Sequence, residues 1–287
     1  MEHHKDYQGG YASPKAARKK RTGQKVVLAL CGVVVILVML LGGMLLHIHA
    51  EEQKLEKRAA KIHTVTLSSV QEPVEETAAA AQQPQSETEA PVQTQQRTVL
   101  EKYAESYAEN PEMFGWICME GTKLDYPVMH TPDDPQKYLH TSFEGTPSYP
   151  GVPFLDASCT EDSDNLIIYG HNMPSGTMFR SLLKYEQKNY WQEHPTITFD
   201  TIYEEQEFEV LAAFYDRVYR KSEKVFKFYQ FIDAKDEADY DNAIAQFRSK
   251  SLYDTGVEAH YGDQLITLVT CAYHTDNGRF VVVARKK

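Results

Sequence analysis

The sequence is poor in cysteine, and its four cysteines lie far apart. They include no Cys-x-x-Cys pair and no dense cluster, which excludes a small scaffold held together by disulfides. Cys31 falls in an apolar run near the N-terminus, which leaves Cys118, Cys159 and Cys271 in the rest of the chain. Three thiols cannot all pair within one chain. At least one of them is therefore free or pairs with another chain.

The body of the chain also lacks an excess of positive charge. Residues 101–287 carry 18 Lys and Arg against 31 Asp and Glu, whereas residues 1–50 carry seven against two. Nucleic-acid-binding domains usually present a basic face, so we predict no nucleic acid partner. A basic N-terminus ahead of an acidic body favours a protein that is oriented in a membrane.

Charged residues are absent from Val26 to Leu46, a run of 21 residues. A helix of this length spans about 30 Å, the thickness of the hydrocarbon core of a bilayer. We therefore predict a single transmembrane helix over residues 26–48, with the lipid bilayer of the cell membrane as its partner. The alternative is a signal peptide cleaved after Ala50. Its apolar core would exceed the usual ~7–15 residues, and Ile48-His49-Ala50 is a poor cleavage site.

The residues on either side of this run differ in composition. Residues 1–25 are predicted to form a basic cytoplasmic tail, because the positive flank of a span stays inside the cell. Residues 64–98 contain no aromatic side chain and are rich in Gln, Glu, Thr, Pro and Ala. Such a segment cannot bury a core. Residues 49–99 are therefore predicted to form a disordered extracellular stalk, in which Glu51 to Lys61 has the composition of a short charged helix.

Residues 100–287 are numerous enough for one domain with a sizeable core. Segments 99–110, 178–193 and 236–251 have helical character, and short apolar runs between turn residues predict strands. The predicted strands are Gly115–Met119, Leu124–Met129, Val152–Leu155, Leu166–Tyr169, Thr196–Thr201, Phe208–Tyr219, Leu265–Cys271 and Phe280–Ala284. Many short strands with few helices indicate a mainly β fold, a mixed β-barrel.

Three residues with side chains suited to catalysis lie at the ends of these predicted strands. The run Thr267–Cys271 ends in a thiol, and after a short polar turn Arg279 opens the next strand. The run Leu166–Tyr169 continues into His171. A thiolate nucleophile, an imidazole that moves protons and a fixed guanidinium are the parts of a thiol acyl-transferase.

A set of motifs runs along most of residues 100–287. They are Asn110-Pro111, Gly115-Trp116-Ile117, Thr122–Val128, Gly151–Asp156, Asn165–Met173, Thr267–Cys271 and Arg279. In these motifs the domain resembles the class B sortases. The resemblance implies a closed β-barrel of the sortase type, with an inserted helix that the segment 236–251 matches. Val269 departs from the pattern, because class B sortases often have serine at this position, which borders the substrate groove.

The resemblance also implies roles for individual residues. Cys271 is the expected nucleophile, His171 the acid and base, and Arg279 the group that holds the oxyanion. His274 is the rival base because it lies only three residues from Cys271, and Cys118 and Cys159 are expected to be structural. The residues predicted to contact substrate are Asn165, Asn172, Val269 and Thr270. We predict neither a metal nor a cofactor.

The expected activity is that of a membrane-anchored cysteine transpeptidase of a Gram-positive cell. It would cut the C-terminal sorting signal of a secreted protein after the threonine of an Asn-Pro-x-Thr or Ser-Pro-x-Thr motif. The protein would then pass to an amine of the peptidoglycan precursor. One alternative is a pilin-polymerising sortase, whose acceptor is a lysine. A papain-like peptidase fits poorly, because there the cysteine precedes the histidine. The alternative from another class is a non-catalytic, membrane-tethered binding module.

Overall fold

The computed structural model describes residues 15–69 and 97–287, with side chains described over 26–66 and 97–287. The chain divides into two compact units, Met1–Ala50 and Glu51–Lys287. The first unit contains the N-terminal part of helix α1, which runs from Lys15 to Ser69. Among the described residues, α1 is the one helix long and apolar enough to cross a membrane, with a mean hydropathy of 3.0 in its most apolar window. The predicted tail is helical from Lys15 onward, and residues 1–14 lie outside the described residues.

The C-terminal part of α1 belongs to the second unit and packs into its core. Leu55, Ala59 and Ile62 recur every three or four residues and are buried, so they form one apolar face of the helix. The short charged helix predicted over Glu51–Lys61 is present as part of α1, and α1 continues to Ser69, into the segment predicted to be a flexible stalk. Apart from the buried Glu51, the abundant charges of this stretch lie on the other faces, and they concealed the apolar stripe. Residues 70–96 of the predicted stalk lie outside the described residues.

Eight strands form a closed barrel in the order β1-β2-β3-β4-β7-β8-β6-β5. The strands are β1 (Met113–Cys118), β2 (Asp125–Met129), β3 (Phe154–Leu155), β4 (Asn165–Tyr169), β5 (Thr196–Thr201), β6 (Glu207–Arg217), β7 (Leu265–Cys271) and β8 (Gly278–Lys286). Each of the eight predicted strands corresponds to one of them. The predicted mainly β fold, a closed barrel with short helices, is confirmed.

Two strand pairings position the candidate site. β4 runs parallel to β7, from the pair Asn165–Leu265 to the pair Tyr169–Val269. β7 and β8 form an antiparallel hairpin. Nearly every residue of β7 and β8 is buried, as expected of continuous β-branched runs that are covered on both faces.

Short helices cover the outside of the barrel. They are α2 (Glu101–Glu109), α3 (Lys188–Glu193), α4 (Glu237–Lys250) and the 3₁₀ helices Lys137–Leu139, Phe179–Glu186 and Phe228–Gln230. The helical segment predicted at 178–193 begins as a 3₁₀ helix and ends as α3. Its buried residues Phe179, Leu182 and Tyr185 are three apart, which matches the three residues per turn of a 3₁₀ helix.

Candidate active site

Cys271 and Arg279 lie opposite each other at the turn end of the β7–β8 hairpin. Cys271 is the last residue of β7, and its register partner on β8 is Arg279. Directly opposed residues of an antiparallel pair project to the same face. The turn between them closes tightly, because Ala272 N–H donates to the carbonyl of Gly278 at 3.1 Å. The hairpin thus brings the thiol and the guanidinium together, as the sequence predicted.

His171 follows β4, and its neighbour Gly170 is bonded to β7. The Gly170 N–H donates to the carbonyl of Val269 at 3.1 Å, and the Thr270 hydroxyl donates to the carbonyl of Gly170 at 2.8 Å. A Cβ at position 170 would lie 2.6 Å from the ring of Phe179, so this position requires glycine. Because β4 and β7 are parallel, their carboxyl ends meet at one edge of the barrel, and this edge holds His171.

The residue after His171 is bonded to the cysteine itself. The Asn172 side chain donates from Nδ2 to the carbonyl of Cys271 at 2.9 Å. Its Oδ1 accepts from Arg180 Nη1 at 2.9 Å. His171 is therefore held between two residues that are both tied to the end of β7, which restrains the histidine relative to the thiol.

Cys271, His171 and Arg279 line one cavity of about 510 Å³. The other lining residues are Pro135, Gln136, Leu139, Phe154, Asp156, Ala157, Ser158, Tyr169, Gly170, Val218, Phe228, Tyr229, Val269 and Thr270. Most of these side chains are apolar or aromatic, with a few polar groups among them. A largely apolar cleft with a few convergent polar groups is the usual form of a small-ligand or peptide site.

The His171 ring is half-buried and is contacted from several sides. Its Nε2 donates to the carbonyl of Leu139 at 3.0 Å, which leaves Nδ1 as the acceptor of the neutral ring. The ring of Tyr149 is parallel to it within 8° at 6.5 Å, and the ring of His140 lies at 5.4 Å. Burial lowers the pKa of His171 below its usual value, His140 lowers it further, and the bond to Leu139 opposes both. The imidazole is therefore largely uncharged at neutral pH.

Cys118 and Cys159, unlike Cys271, do not line the cavity. Cys159 is buried, and its thiol donates to the carbonyl of Asn165 at 3.5 Å. Burial raises the pKa of Cys159 to about 12. Burial, together with the carboxylate of Asp125, also raises the pKa of Cys118 to about 12. Both thiols are poor nucleophiles at neutral pH, because only the thiolate attacks.

The geometry also separates the two candidate bases. His274 is exposed in the β7–β8 turn, and its ring contacts Tyr215 with the centroids 4.7 Å apart. It does not line the cavity, whereas His171 does. Proximity in sequence to Cys271 is therefore a poor guide here, because the chain turns away from the cavity directly after β7.

The four residues predicted to contact substrate divide into two pairs. Val269 and Thr270 line the cavity. Asn165 does not, because its side chain is completely buried and donates to the carbonyl of Phe231 at 2.7 Å. Asn172 does not line the cavity either, since its amide is directed to the carbonyl of Cys271. Asn165 and Asn172 thus lie outside the cavity lining, and their side chains donate to the backbone carbonyls of Phe231 and Cys271.

Several cavity residues were missed by sequence reasoning. Val218, Phe228 and Tyr229 come from the connection between β6 and α4, and they form one wall. Helix α4 itself contributes no lining residue. Leu139 and the segment 156–158 come from two further connections. These residues follow no local pattern in the sequence, because only the closure of the barrel brings their segments together.

One group among the described residues has the donor atoms for a metal ion. It consists of His63, Cys118 and Asp125, whose donor atoms all lie within 4.8 Å of one another. None of the three lines the cavity of Cys271. This group is therefore separate from the candidate active site.

Comparison with known proteins agrees with the fold and with the resemblance. The family model of the sortase domain matches residues 117–287. Sortase B of Listeria monocytogenes is 31% identical over 179 residues, which are 60% of this chain and 69% of that protein. Sortase B of Staphylococcus aureus is 31% identical over 180 residues, which are 61% of this chain and 70% of that protein.

Solved structures are similar over a larger part of the chain. The Staphylococcus aureus sortase B–substrate complex superposes with a TM-score of 0.66 at 23% identity, over 83% of this chain and 97% of that one. Sortase B from Bacillus anthracis superposes with a TM-score of 0.58 at 29% identity, over 66% of this chain and 85% of that one. At 23% identity, the first comparison supports a shared fold only. At 29% identity, the second also supports similarity in sequence.

Proposed function

Because the chain belongs to the class B sortases, which are cysteine transpeptidases, we propose that it attaches secreted proteins to the cell wall. The enzyme cuts their C-terminal sorting signal after the threonine of an Asn-Pro-x-Thr or Ser-Pro-x-Thr motif. It then transfers the new carboxyl end to an amine of the peptidoglycan precursor. The observation that carries this proposal is that Cys271, His171 and Arg279 line one cavity.

The first half-reaction forms a thioester. Cys271 Sγ gives its proton to the neutral ring of His171 and attacks the carbonyl carbon of the threonine. The tetrahedral intermediate collapses as the peptide C–N bond breaks, and the imidazolium gives its proton to the departing amine. The lowered pKa of His171 supports this order, because it keeps the ring in the form that accepts a proton.

The second half-reaction reverses these roles. The acceptor amine attacks the thioester carbonyl and loses a proton to His171. The C–S bond breaks, and Cys271 leaves as a thiolate that takes the proton back from His171. The product is a new amide bond, so the reaction is a transfer and consumes neither an oxidant nor a metal ion.

Arg279 stabilises the charge that develops on the carbonyl oxygen in both halves. Its Nη1 donates to the carbonyl of Gly278 at 2.9 Å, which holds the guanidinium at the start of β8. The planar group has further N–H donors besides the one bonded to Gly278, and a guanidinium carries a positive charge. Donors fixed in advance near a developing oxyanion are among the largest contributions to catalysis.

The apolar wall of the cavity fits an extended peptide with small apolar side chains. Phe154, Val218 and Phe228 supply the wall, and Val269 borders the catalytic cysteine on its own strand. Residues i and i+2 of a strand share a face, so Val269 and Cys271 project to the same side of β7. This supports a substrate whose side chain before the scissile bond is apolar or bears a methyl group, as threonine does.

The apolar stretch of α1 supports attachment to the membrane. Its charge-free run of 21 residues is long enough to span a bilayer. Positive charge precedes this run, with Arg18, Lys19, Lys20, Arg21 and Lys25 in the last eight residues before it. We infer that the N-terminus is cytoplasmic and that the catalytic domain lies outside the cell.

A peptide panel tests the proposed function. The full chain in detergent micelles is incubated with Asn-Pro-x-Thr and Ser-Pro-x-Thr peptides, with and without an amine acceptor, and the products are identified by mass spectrometry. Cleavage after threonine together with an amine-linked product is expected only from the chain that retains Cys271. Cys159→Ala is the matched control and should stay active, because its thiol is buried away from the cavity. Cleavage by Cys271→Ala, or none by the wild type, would exclude this function.

A further inference from the structure

The exposed side of the docked part of α1 carries a histidine above the barrel. Leu55, Ala59 and Ile62 hold this part of the helix against the domain. Arg58 adds a bidentate ion pair to Glu109, with N–O distances of 2.8 and 3.0 Å. His63 follows Ile62 directly and remains about half exposed. Its position is therefore fixed by the packing of the neighbouring residues, while the ring stays open to solvent.

Cys118 and Asp125 lie beneath this histidine on the barrel. They are direct register partners on the antiparallel strands β1 and β2, so their side chains project to one face. The distance from His63 Nε2 to Asp125 Oδ2 is 2.9 Å. The nitrogen, the sulfur and a carboxylate oxygen of the three residues all lie within 4.8 Å of one another.

We propose that His63, Cys118 and Asp125 bind a divalent transition-metal ion, and that this ion is Zn²⁺. Imidazole nitrogen, thiolate sulfur and carboxylate oxygen are the three donor types of protein zinc sites. Binding of Zn²⁺ displaces the proton of the Cys118 thiol into solvent, because a coordinating thiol is deprotonated by the ion. Zinc–ligand bonds of about 2.0–2.3 Å at tetrahedral angles place donor atoms roughly 3.3–3.8 Å apart. The observed spacing therefore needs only small movements of side chains. Three protein ligands leave a fourth position, which faces solvent beside His63 and takes a water molecule.

The carboxylate of Asp125 is already oriented to bind a metal ion. Trp116 Nε1 donates to Asp125 Oδ1 at 2.7 Å, which turns the other oxygen, Oδ2, toward His63. Trp116 is itself 2% exposed and stacks on Tyr103 with the centroids 6.2 Å apart. A hydrogen-bonded partner that fixes a ligand in this way is typical of metal sites and strengthens binding.

The ion would join two parts of the fold that are distant in sequence. His63 lies on the docked helix, whereas Cys118 and Asp125 lie on the barrel. Bound metal therefore stabilises the packing of α1 against β1 and β2. It takes no part in the transpeptidase chemistry, since none of its ligands lines the cavity of Cys271.

Cobalt binding tests the site directly. All measurements use the full chain in detergent with Cys271→Ser, which removes the catalytic thiol as a competing ligand. One equivalent of Co²⁺ should produce a thiolate-to-cobalt charge-transfer band, and Zn²⁺ should abolish it by displacement. The additional change Cys118→Ser should remove the band, whereas Cys159→Ala should leave it intact because that thiol is buried elsewhere.

His63→Gln provides a second variant that does not disturb the barrel. The residue is exposed on the helix, so the fold should persist while the affinity for Zn²⁺ falls at least about tenfold. A competition titration with a chromophoric chelator measures this affinity. The proposal is overturned if the Cys271→Ser chain shows no thiolate band, or if His63→Gln and Cys118→Ser bind as tightly as their parent. In either case the cluster is only a His63–Asp125 ion pair beside a thiol.

Discussion

At the scale of single residues, the backbone on both sides of His171 is bonded to β7. Gly170 pairs with Val269 and Thr270, and Asn172 donates to the carbonyl of Cys271. Catalytic groups need to be held close to their productive geometry, because a displacement of about 1 Å costs roughly a hundredfold in rate. If His171 acts as the proposed acid and base, the hydrogen bonds around it contribute to catalysis by holding the ring near Cys271.

Asn172→Ala should lower kcat by about tenfold or more while KM changes little. The substitution leaves the partly buried carbonyl of Cys271 without its donor, which removes a restraint between the histidine and the cysteine. Steady-state cleavage of a sorting peptide by the full chain measures both constants. A rise in KM at unchanged kcat would instead show that Asn172 contacts the substrate.

Asn172→Asp distinguishes the effects of the two hydrogen bonds that the Asn172 side chain makes. An aspartate has nearly the same shape and still accepts from Arg180, but it cannot donate to the carbonyl of Cys271. It should therefore be as defective as Asn172→Ala. Recovery of activity in Asn172→Asp would mean that the contact with Arg180, and not the one with Cys271, sets the rate.

His140→Gln should move the acidic limb of the pH profile of kcat/KM to higher pH. The acidic limb follows the protonation of His171, and His140 helps to lower the pKa of that ring. Removal of the neighbouring positive charge favours the imidazolium, so its pKa rises. His274→Gln is the matched control and should leave the limb in place, because His274 lies outside the cavity. An acidic limb that stays at the same pH or shifts to lower pH in His140→Gln would contradict this account.

Arg279→Lys should retain the charge yet lose about a hundredfold in kcat. A lysine ammonium cannot bond the carbonyl of Gly278 and reach an oxyanion with the fixed fork of a guanidinium. Pre-steady-state cleavage of a sorting peptide measures the chemical step. Near wild-type rates in this variant would show that only a positive charge is needed at position 279.

At the scale of elements, the strands were predictable, whereas the packing of the C-terminal part of α1 against the domain was not. Continuous apolar, β-branched runs such as β7 and β8 carry a local signal that tertiary packing reinforces. The segment 51–66 is rich in charge, and its three buried apolar positions form a narrow stripe beside the buried Glu51. A narrow stripe gives only a weak periodicity, so the composition of the segment suggested a linker.

Ala59→Asp should release this helix, whereas Ala60→Asp should not. Ala59 is 6% exposed against the domain, and its neighbour Ala60 is exposed. Burial of Leu55 and Ile62 contributes roughly 1.5–3 kcal/mol each. An unpaired carboxylate in the same interface costs about 3–5 kcal/mol, which offsets most of that stabilisation.

Limited digestion with trypsin measures whether the C-terminal part of α1 is released from the domain. Lys54, Lys57, Arg58 and Lys61 offer cleavage sites within the helix, and a docked helix resists the protease. The Ala59→Asp chain should be cut there faster than the wild type, and Ala60→Asp should match the wild type. Equal rates for the two variants would show that the helix does not depend on this apolar face.

At the scale of the whole molecule, the catalytic residues and the cavity wall differ in how far the sequence reveals them. Cys271 and Arg279 are joined by a hairpin, and His171 is distant from both in sequence but stands at a recognisable strand end. The wall is assembled from several connections that approach one another only when the barrel closes. Long-range closure of this kind has no local signature, which is why Val218, Phe228 and Tyr229 were not predicted as cavity residues.

The most direct test of the account is the intact mass of the full chain after brief exposure to a sorting peptide without an acceptor amine. The account predicts an added mass equal to the acyl fragment that ends in threonine, located on Cys271 by peptide mapping and released by an added amine. It also predicts no adduct on Cys271→Ala. A stable product without any adduct on Cys271, or an adduct on Cys118 or Cys159, would contradict the central claim that Cys271 is the nucleophile.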